Sequence, residues 1–244
     1  MSESDWLHAD WPAIARVHTL ITTRNGGVSQ PPYASLNLGT HVEDNAENVS
    51  ANRALLRAHL PAEPAWLNQV HGTQVLAAEQ VNNAPDADAS FTRQSNTVCV
   101  IMTADCLPVL LCDRQGTVVG AAHAGWRGLC NGVLEATIIA MGAEPGDLMA
   151  WMGPAIGPDA FEVGKEVRSA FMEHNPASDS AFTPIGDDKY LADIYLLARQ
   201  RLQNAGVAAV YGGGRCTVIE RDQFFSYRRD RHTGRMASLI WLEP

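Results

Sequence analysis

Apolar positions along the chain follow two spacings. Near-continuous apolar runs of strand length occupy residues 97–103, 107–112 and 117–122, and a further strand is expected at 148–152. Residues 113–116 read as a hairpin-like turn between the second and third of these runs. Residues 17–23 read as an earlier strand, after which Arg24, Asn25, Gly26 and Gly27 supply turn chemistry. Helical spacing covers 43–59, with Val49, Leu55 and Leu56 as its apolar positions and Pro61 beyond its end. It returns at 128–141, closed by Gly142, and at 163–174. A stronger helix is predicted over 190–204, with Leu191, Ile194, Tyr195, Ala198 and Leu202 on one face and Gly206 past its end. The C-terminus predicts a hairpin of 224–228 and 236–241 joined through 230–234. Strands and helices mix without βαβ alternation, so an α+β fold is expected in preference to a doubly wound one. No repeat or Pro/Gly/Ser linker divides the chain, which predicts a single domain spanning 1–244.

Composition narrows the class of protein. With 244 residues, 46% hydrophobic and 18% charged, the chain can bury a sizeable core and carve a pocket in it. A net charge of −9 gives no basic face for a phosphate backbone, so nucleic acid is not expected as a partner. Residues 1–10 are acidic and lack the apolar segment of a signal peptide. The longest apolar stretch, 98–112, is interrupted by Asp105 and Pro108 and is too short to span a bilayer, so no membrane association is expected. Five cysteines, an odd number, argue against a disulfide framework and for the cytoplasm. Cys99, Cys112, Cys130 and Cys216 are expected to pack as small hydrophobes.

Candidate chemistry concentrates at strand ends. His71 precedes a glycine, Cys106 follows Asp105 at the break between two apolar runs, and His123 ends a strand just before a helix begins. Rigid elements display catalytic groups from such ends. A thiolate and two imidazoles are good zinc ligands and leave a fourth tetrahedral position for water or substrate. Such an ion brings the pKa of bound water to roughly 7. Asp105 could accept a hydrogen bond from a ligand or carry a proton. The chain has no HExxH, no CxxC and no deaminase signature, so spacing alone leaves core or surface filler as the alternative for each residue.

The runs 22–29 (TTRNGGVS), 66–72 (WLNQVHG), 102–108 (MTADCLP) and 122–128 (AHAGWRG) resemble the laccase-domain family, also called the bacterial polyphenol oxidase or peptidoglycan-editing-factor family. Runs 151–157 (WMGPAIG) and 225–230 (FSYRRD) extend the resemblance over nearly the whole chain. The resemblance implies a zinc site on His71, Cys106 and His123, with catalytic roles for these residues and Asp105. It also implies a layered α/β/β/α arrangement of mixed sheets, similar to the catalytic domain of cytotoxic necrotising deamidase toxins. The activity it implies is phosphate-dependent cleavage of adenosine, inosine and methylthioadenosine, together with deamination of adenosine. Copper-dependent phenol oxidation and removal of misincorporated amino acids from peptidoglycan precursors are further activities attached to the family.

The residues discriminate among these. A multicopper cluster needs His-x-His pairs, and none of the eight histidines forms one. A single site of two His, one Cys and an axial Met such as Met102 could hold Cu²⁺ and move single electrons. Phosphorolysis needs an anion pocket, for which Arg24, Arg127, Arg228 and Arg229 are candidates because guanidinium pairs with phosphate in a planar fork. For each arginine the alternative is a solvated salt bridge. A metal-free cysteine hydrolase would use Cys106 as nucleophile and His123 as base, with His71 orienting. The expected partner is a small molecule, a purine nucleoside with phosphate. His41 is the remaining histidine whose role the sequence leaves least decided, and the oligomeric state is left open.

Overall fold

The structure, a computed structural model, describes residues 6–244. Of the acidic segment 1–10, residues 1–5 therefore lie outside the described residues. Strands β1 (Val17–Ile21), β2 (Pro64–Ala65), β5 (Val98–Thr103) and β13 (Met236–Leu242) form one sheet in the order β1-β13-β5-β2. A second, six-stranded sheet has the order β12 (Ala209–Gly212), β8 (Leu148–Met152), β6 (Leu107–Asp113), β7 (Val119–Ala124), β4 (Ala89–Thr92) and β3 (Val75–Ala77). Its central pairs are antiparallel, and its two outer pairs are parallel. A small antiparallel sheet joins β9 (Glu162–Gly164), β10 (Phe182–Gly186) and β11 (Lys189–Ala192).

Alternation along each strand explains the layers, because successive side chains leave opposite faces. Cys99 and Ile101 of β5 face Leu110 and Cys112 of β6 in a core between the two large sheets. Val98, Val100 and Met102 point the other way, onto Leu36, Leu38 and Leu56, the last from helix α1 (Ala46–Arg57). On the far side, Leu107, Val109 and Leu111 pack under helices α2 (Trp126–Asn131), α3 (Val133–Met141), α4 (Lys165–His174) and α5 (Ile194–Asn204). Helix, sheet, sheet and helices thus follow in four layers, and mixed α and β structure is as expected. Among the described residues no helix is long and apolar enough to cross a membrane.

Several boundaries differ from those expected, each for a local reason. The 43–59 helix begins only at Ala46, because Asn45 Oδ1 accepts from the N–H groups of Glu47 and Asn48. The single helix expected over 128–141 is two, broken at Gly132, whose φ of +100° lies in the left-handed region. The helix expected over 163–174 starts at Lys165, since Glu162–Gly164 pairs with β11. The 190–204 helix loses its first turn: Leu191 sits in β11, and Asp193 caps the helix by accepting from Leu196 N–H. The C-terminal hairpin does not form. Tyr227–Asp230 is a short helix, α6, and β13 pairs with β1 and β5. Cys99, Cys112 and Cys130 are buried, and burial pushes the Cys99 and Cys112 thiols up to about 12, so both stay protonated.

Candidate metal centre

The two large sheets exchange the chain at 104–106: β5 ends in one and β6 begins in the other. Asp105 makes that crossing, with φ of +93°. Its carboxylate accepts from Thr217 Oγ1 at 2.6 Å and Arg228 N–H at 2.6 Å, and its carbonyl accepts from Ile156 N–H at 2.8 Å. Asp105 therefore ties the crossing to three neighbouring segments, and Cys106, the next residue, lines the cleft beside it. His123 lies on β7 opposite Pro108 of β6. His71 reaches the same place from the loop after β2. The Gln69 side chain holds that loop to the end of β5, donating to Met102 carbonyl and accepting from Met102 N–H, both at 2.8 Å.

Asp88 organises the site, and the sequence reading passed over it. Its carboxylate is fully buried. It accepts from His123 Nδ1–H at 2.7 Å, His71 N–H at 2.9 Å, Gly72 N–H at 2.7 Å and Val70 N–H at 3.2 Å. One anion thereby fixes the ring of one histidine and the backbone of the other. With Nδ1 engaged, His123 keeps Nε2 free toward Cys106. Burial drives the His123 pKa down, but the Cys106 thiol and the Asp88 carboxylate outweigh it and push it up to about 9. His71 is held below its ordinary value by burial and by neighbouring His123, against the pull of Asp88. The only sequence signal for Asp88 is an acid between alanines in 85–89 (PDADA), which carries no spacing of its own.

The donor atoms of His71, Cys106 and His123 lie within 4.8 Å of one another, and the two rings stand 4.8 Å apart between centroids. Two imidazoles and a thiolate with one carboxylate-oriented histidine suit a zinc ion. The space before them is kept clear by Gly125, where a Cβ would stand 2.8 Å from His71 Nδ1 and 3.1 Å from Cys106 Sγ. Gly128 allows the start of α2 to approach the His71 loop, with Gly72 carbonyl 2.9 Å from where its Cβ would be. Gly125→Ala is expected to fold and to weaken metal binding at these donors by at least about tenfold, read by titration against a chelator. Unchanged affinity would show that the position of this methyl group does not matter to the donors.

The three residues open onto a cleft of about 600 Å³. Ile156, Phe161, Ile194 and Trp126 give it an apolar wall, and Arg127 and Arg228 also line it. Arg127 lies over the Trp126 ring at 4.5 Å. Arg228 is partly committed, its Nη1 donating to Glu162 carbonyl at 3.0 Å. His41, Arg231 and Arg235 also line the cleft, and no motif had marked the two arginines. Arg24 and Arg229 are not brought there. Arg24 donates to the carbonyls of Ala34 and Arg221, and Arg229 to those of Thr217, Val218 and Phe224 while pairing with Asp230. Both line a separate surface cavity. These two guanidinium groups are spent on backbone carbonyls of the surrounding loops, most of them part-buried.

Residues 18–243 match the family model described as multi-copper polyphenol oxidoreductase laccase. A relative from Escherichia coli named purine nucleoside phosphorylase YfiH is 57% identical over 95% of this chain and 96% of its own length. A Pseudomonas aeruginosa protein, also named purine nucleoside phosphorylase, is 54% identical over 98% of each chain. Among solved structures, Neisseria meningitidis protein NMB0706 superposes with a TM-score of 0.96 at 58% identity, covering 98% of this chain and 100% of that one. YlmD from Geobacillus stearothermophilus gives 0.93 at 30% identity over 100% and 98%. With the family model matched over residues 18–243 and relatives at 54–57% identity along nearly the whole length, the chain belongs to the multi-copper polyphenol oxidoreductase laccase family.

Proposed function

We propose that the protein is a zinc-dependent purine nucleoside enzyme of the cytoplasm, cleaving adenosine, inosine and methylthioadenosine with phosphate and also deaminating adenosine. The observation that carries this reading is the meeting, in one cleft, of a two-His, one-Cys donor set with guanidinium groups and an apolar wall. His71, Cys106 and His123 would hold the ion, which when bound supplies Lewis-acid chemistry and water activation at neutral pH. Asp88 holds His123 in the Nδ1–H tautomer. Asp105 holds the crossing that presents Cys106. Ile156, Phe161 and Ile194 receive the base, and Arg127, aided by Arg228, attracts phosphate. The relatives' names support a nucleoside substrate.

The same donors accept Cu²⁺, and phenol oxidation is assigned to a copper-loaded form as a side activity. Among the described residues a single three-residue cluster of this kind occurs, too few ligands for a multicopper centre.

A second reading has one observation in its favour. Cys106 lies beside His123, with donor atoms within 4.8 Å, and His123 Nδ1–H donates to Asp88 at 2.7 Å, an order suited to a cysteine hydrolase acting on an amide such as that of a peptidoglycan precursor. One experiment separates the two. Base release from inosine is expected to need both added phosphate and zinc, and adenosine is expected to release ammonia in the same preparation. Base release indifferent to phosphate would sink phosphorolysis. Full turnover of a muramyl–serine substrate after complete metal removal would establish the hydrolase instead.

A further inference from the structure

One guanidinium of the cleft is fixed in place with three of its five N–H donors unoccupied. Arg235 leads into β13. Its backbone N–H donates to Asn37 Oδ1 at 2.9 Å, and Nη1 donates to the carbonyls of Thr233 and Gly234 at 3.0 and 3.1 Å. Gly39 lies flat against its stem, where a Cβ would stand 2.8 Å from Arg235 Cγ. The side chain is half-buried and lines the cleft. Among the described residues Nε and Nη2 make no hydrogen bond, and no carboxylate lies within ion-pair distance of Arg235. A partly desolvated cation without a counter-charge is costly, so such groups are ordinarily paired.

The acidic groups that act on Arg235 are Cys106, Asp105, Tyr227 and Tyr33. Both Asp105 oxygens are already taken by Thr217 and Arg228. His41 stands in the same part of the cleft and is kept neutral by burial and by Arg235 and Arg53. A neutral imidazole can donate to an oxyanion without adding a charge that must itself be balanced. Arg127, from α2, and Arg235, from the start of β13, both act on His71. Arg235 lines the same cleft as His71, Cys106 and His123, so an anion in that cleft can meet its empty fork.

Resting on the nucleoside-phosphorolysis reading of this cleft, we propose that Arg235 is the principal seat of the inorganic phosphate co-substrate, with His41 and Arg127 as flanking donors. Arg228, tied to the carbonyl of Glu162 and 5.7 Å from the centre of the Phe161 ring, then adds positive charge to the cleft without a free fork. An oxyanion held bidentately by Arg235 would supply the counter-charge that the fold leaves out.

The test uses zinc-loaded wild type, Arg235→Gln and Arg235→Lys. Four quantities are read: phosphate KM at saturating inosine, inosine KM at saturating phosphate, zinc content, and calorimetric phosphate binding without nucleoside. Arg235→Gln is expected to raise the phosphate KM and Kd by at least about tenfold while inosine KM stays within about threefold and zinc content is unchanged. Arg235→Lys should fall between, keeping the charge and losing the fork. Phosphate KM and Kd within about twofold of wild type in either zinc-retaining variant would overturn the assignment, as would wild type that binds no phosphate. A wild type that binds phosphate through Arg235 yet releases no base would overturn phosphorolysis and leave Arg235 as an anion site. One that cleaves inosine with phosphate but is indifferent at position 235 would overturn the present proposal alone.

Discussion

Cys106→Ala is expected to yield a folded protein without stoichiometric zinc, in which inosine cleavage falls by roughly 10³-fold. Lewis-acid stabilisation by a bound ion is worth several kcal/mol, and about 1.4 kcal/mol corresponds to each tenfold in rate. Cys106 is the sole sulfur in the donor set and is half-exposed at the cleft, so its truncation removes little core packing. Two imidazoles alone leave the ion with half its tetrahedral shell unfilled by protein. The check is metal analysis by mass spectrometry alongside the phosphate-dependent assay, with thermal melting to verify the fold. A variant that keeps about one zinc per chain and more than about a tenth of the rate would remove Cys106 from the centre.

Asp88→Ala should produce the second large effect, on stability and on metal affinity together. It strips the acceptor from three backbone N–H groups and from His123 Nδ1 at a fully buried position. Breaking a buried, hydrogen-bonded pair of this kind costs about 3–5 kcal/mol. Asp88→Asn keeps the shape but loses the charge that orients His123, and zinc affinity is expected to fall by about 10–100-fold. Denaturant melts and chelator competition read the two effects. An Asn variant with wild-type zinc affinity would show that the carboxylate is only a structural acceptor.

The pH dependence follows from the same pair. Burial raises the Asp88 carboxyl, but the hydrogen bonds from His123 and from the N–H groups of Gly72 and Val70 outweigh it and hold it low. Its contribution is present above the unfolded value of about 3.9 and fades as pH falls through the folded one. His123, raised to about 9, acts in the opposite sense. In the metal-free protein its contribution is complete below the unfolded value of about 6.5 and is lost as pH rises to about 9. The zinc-bound protein, with His123 unprotonated, should not lose stability there, and zinc affinity should climb across that window as the ion displaces the proton.

Much of this was legible in the sequence because it is local. Residues 98–102 and 107–112 are apolar at every position and of strand length, and both strands are buried throughout. Cys106 and His123 stood out as reactive types at the ends of such runs, and His71 beside a glycine that lets the backbone turn. The failures lie where distant parts of the chain decide. Leu191 fits a helical face, yet β9 and β10 capture it as a strand, and the Asp193 cap was the signal that a helix begins later. Residues 224–228 carry strand-like aromatics, but the partners of β13 are β1 and β5, far off in sequence. Asp88 and Arg235 belong to no motif, and only folding brings each to the donors. Arg24 and Arg229 look like anion ligands until the carbonyls that occupy them are seen.

The crossing of the chain between the two sheets has a consequence for the lifetime of the protein. Cys106 sits on the strand-to-strand passage, His123 on the six-stranded sheet, and His71 on a loop pinned to the end of β5. An ion that engages all three clasps the two sheets across their seam, and the unfolded chain offers no comparable grip. Free zinc at a thousand times its Kd would then add about 4 kcal/mol against unfolding. Proteases act on the opened chain, so loss of the ion these residues would hold is expected to shorten the protein's life as well as to lower its activity.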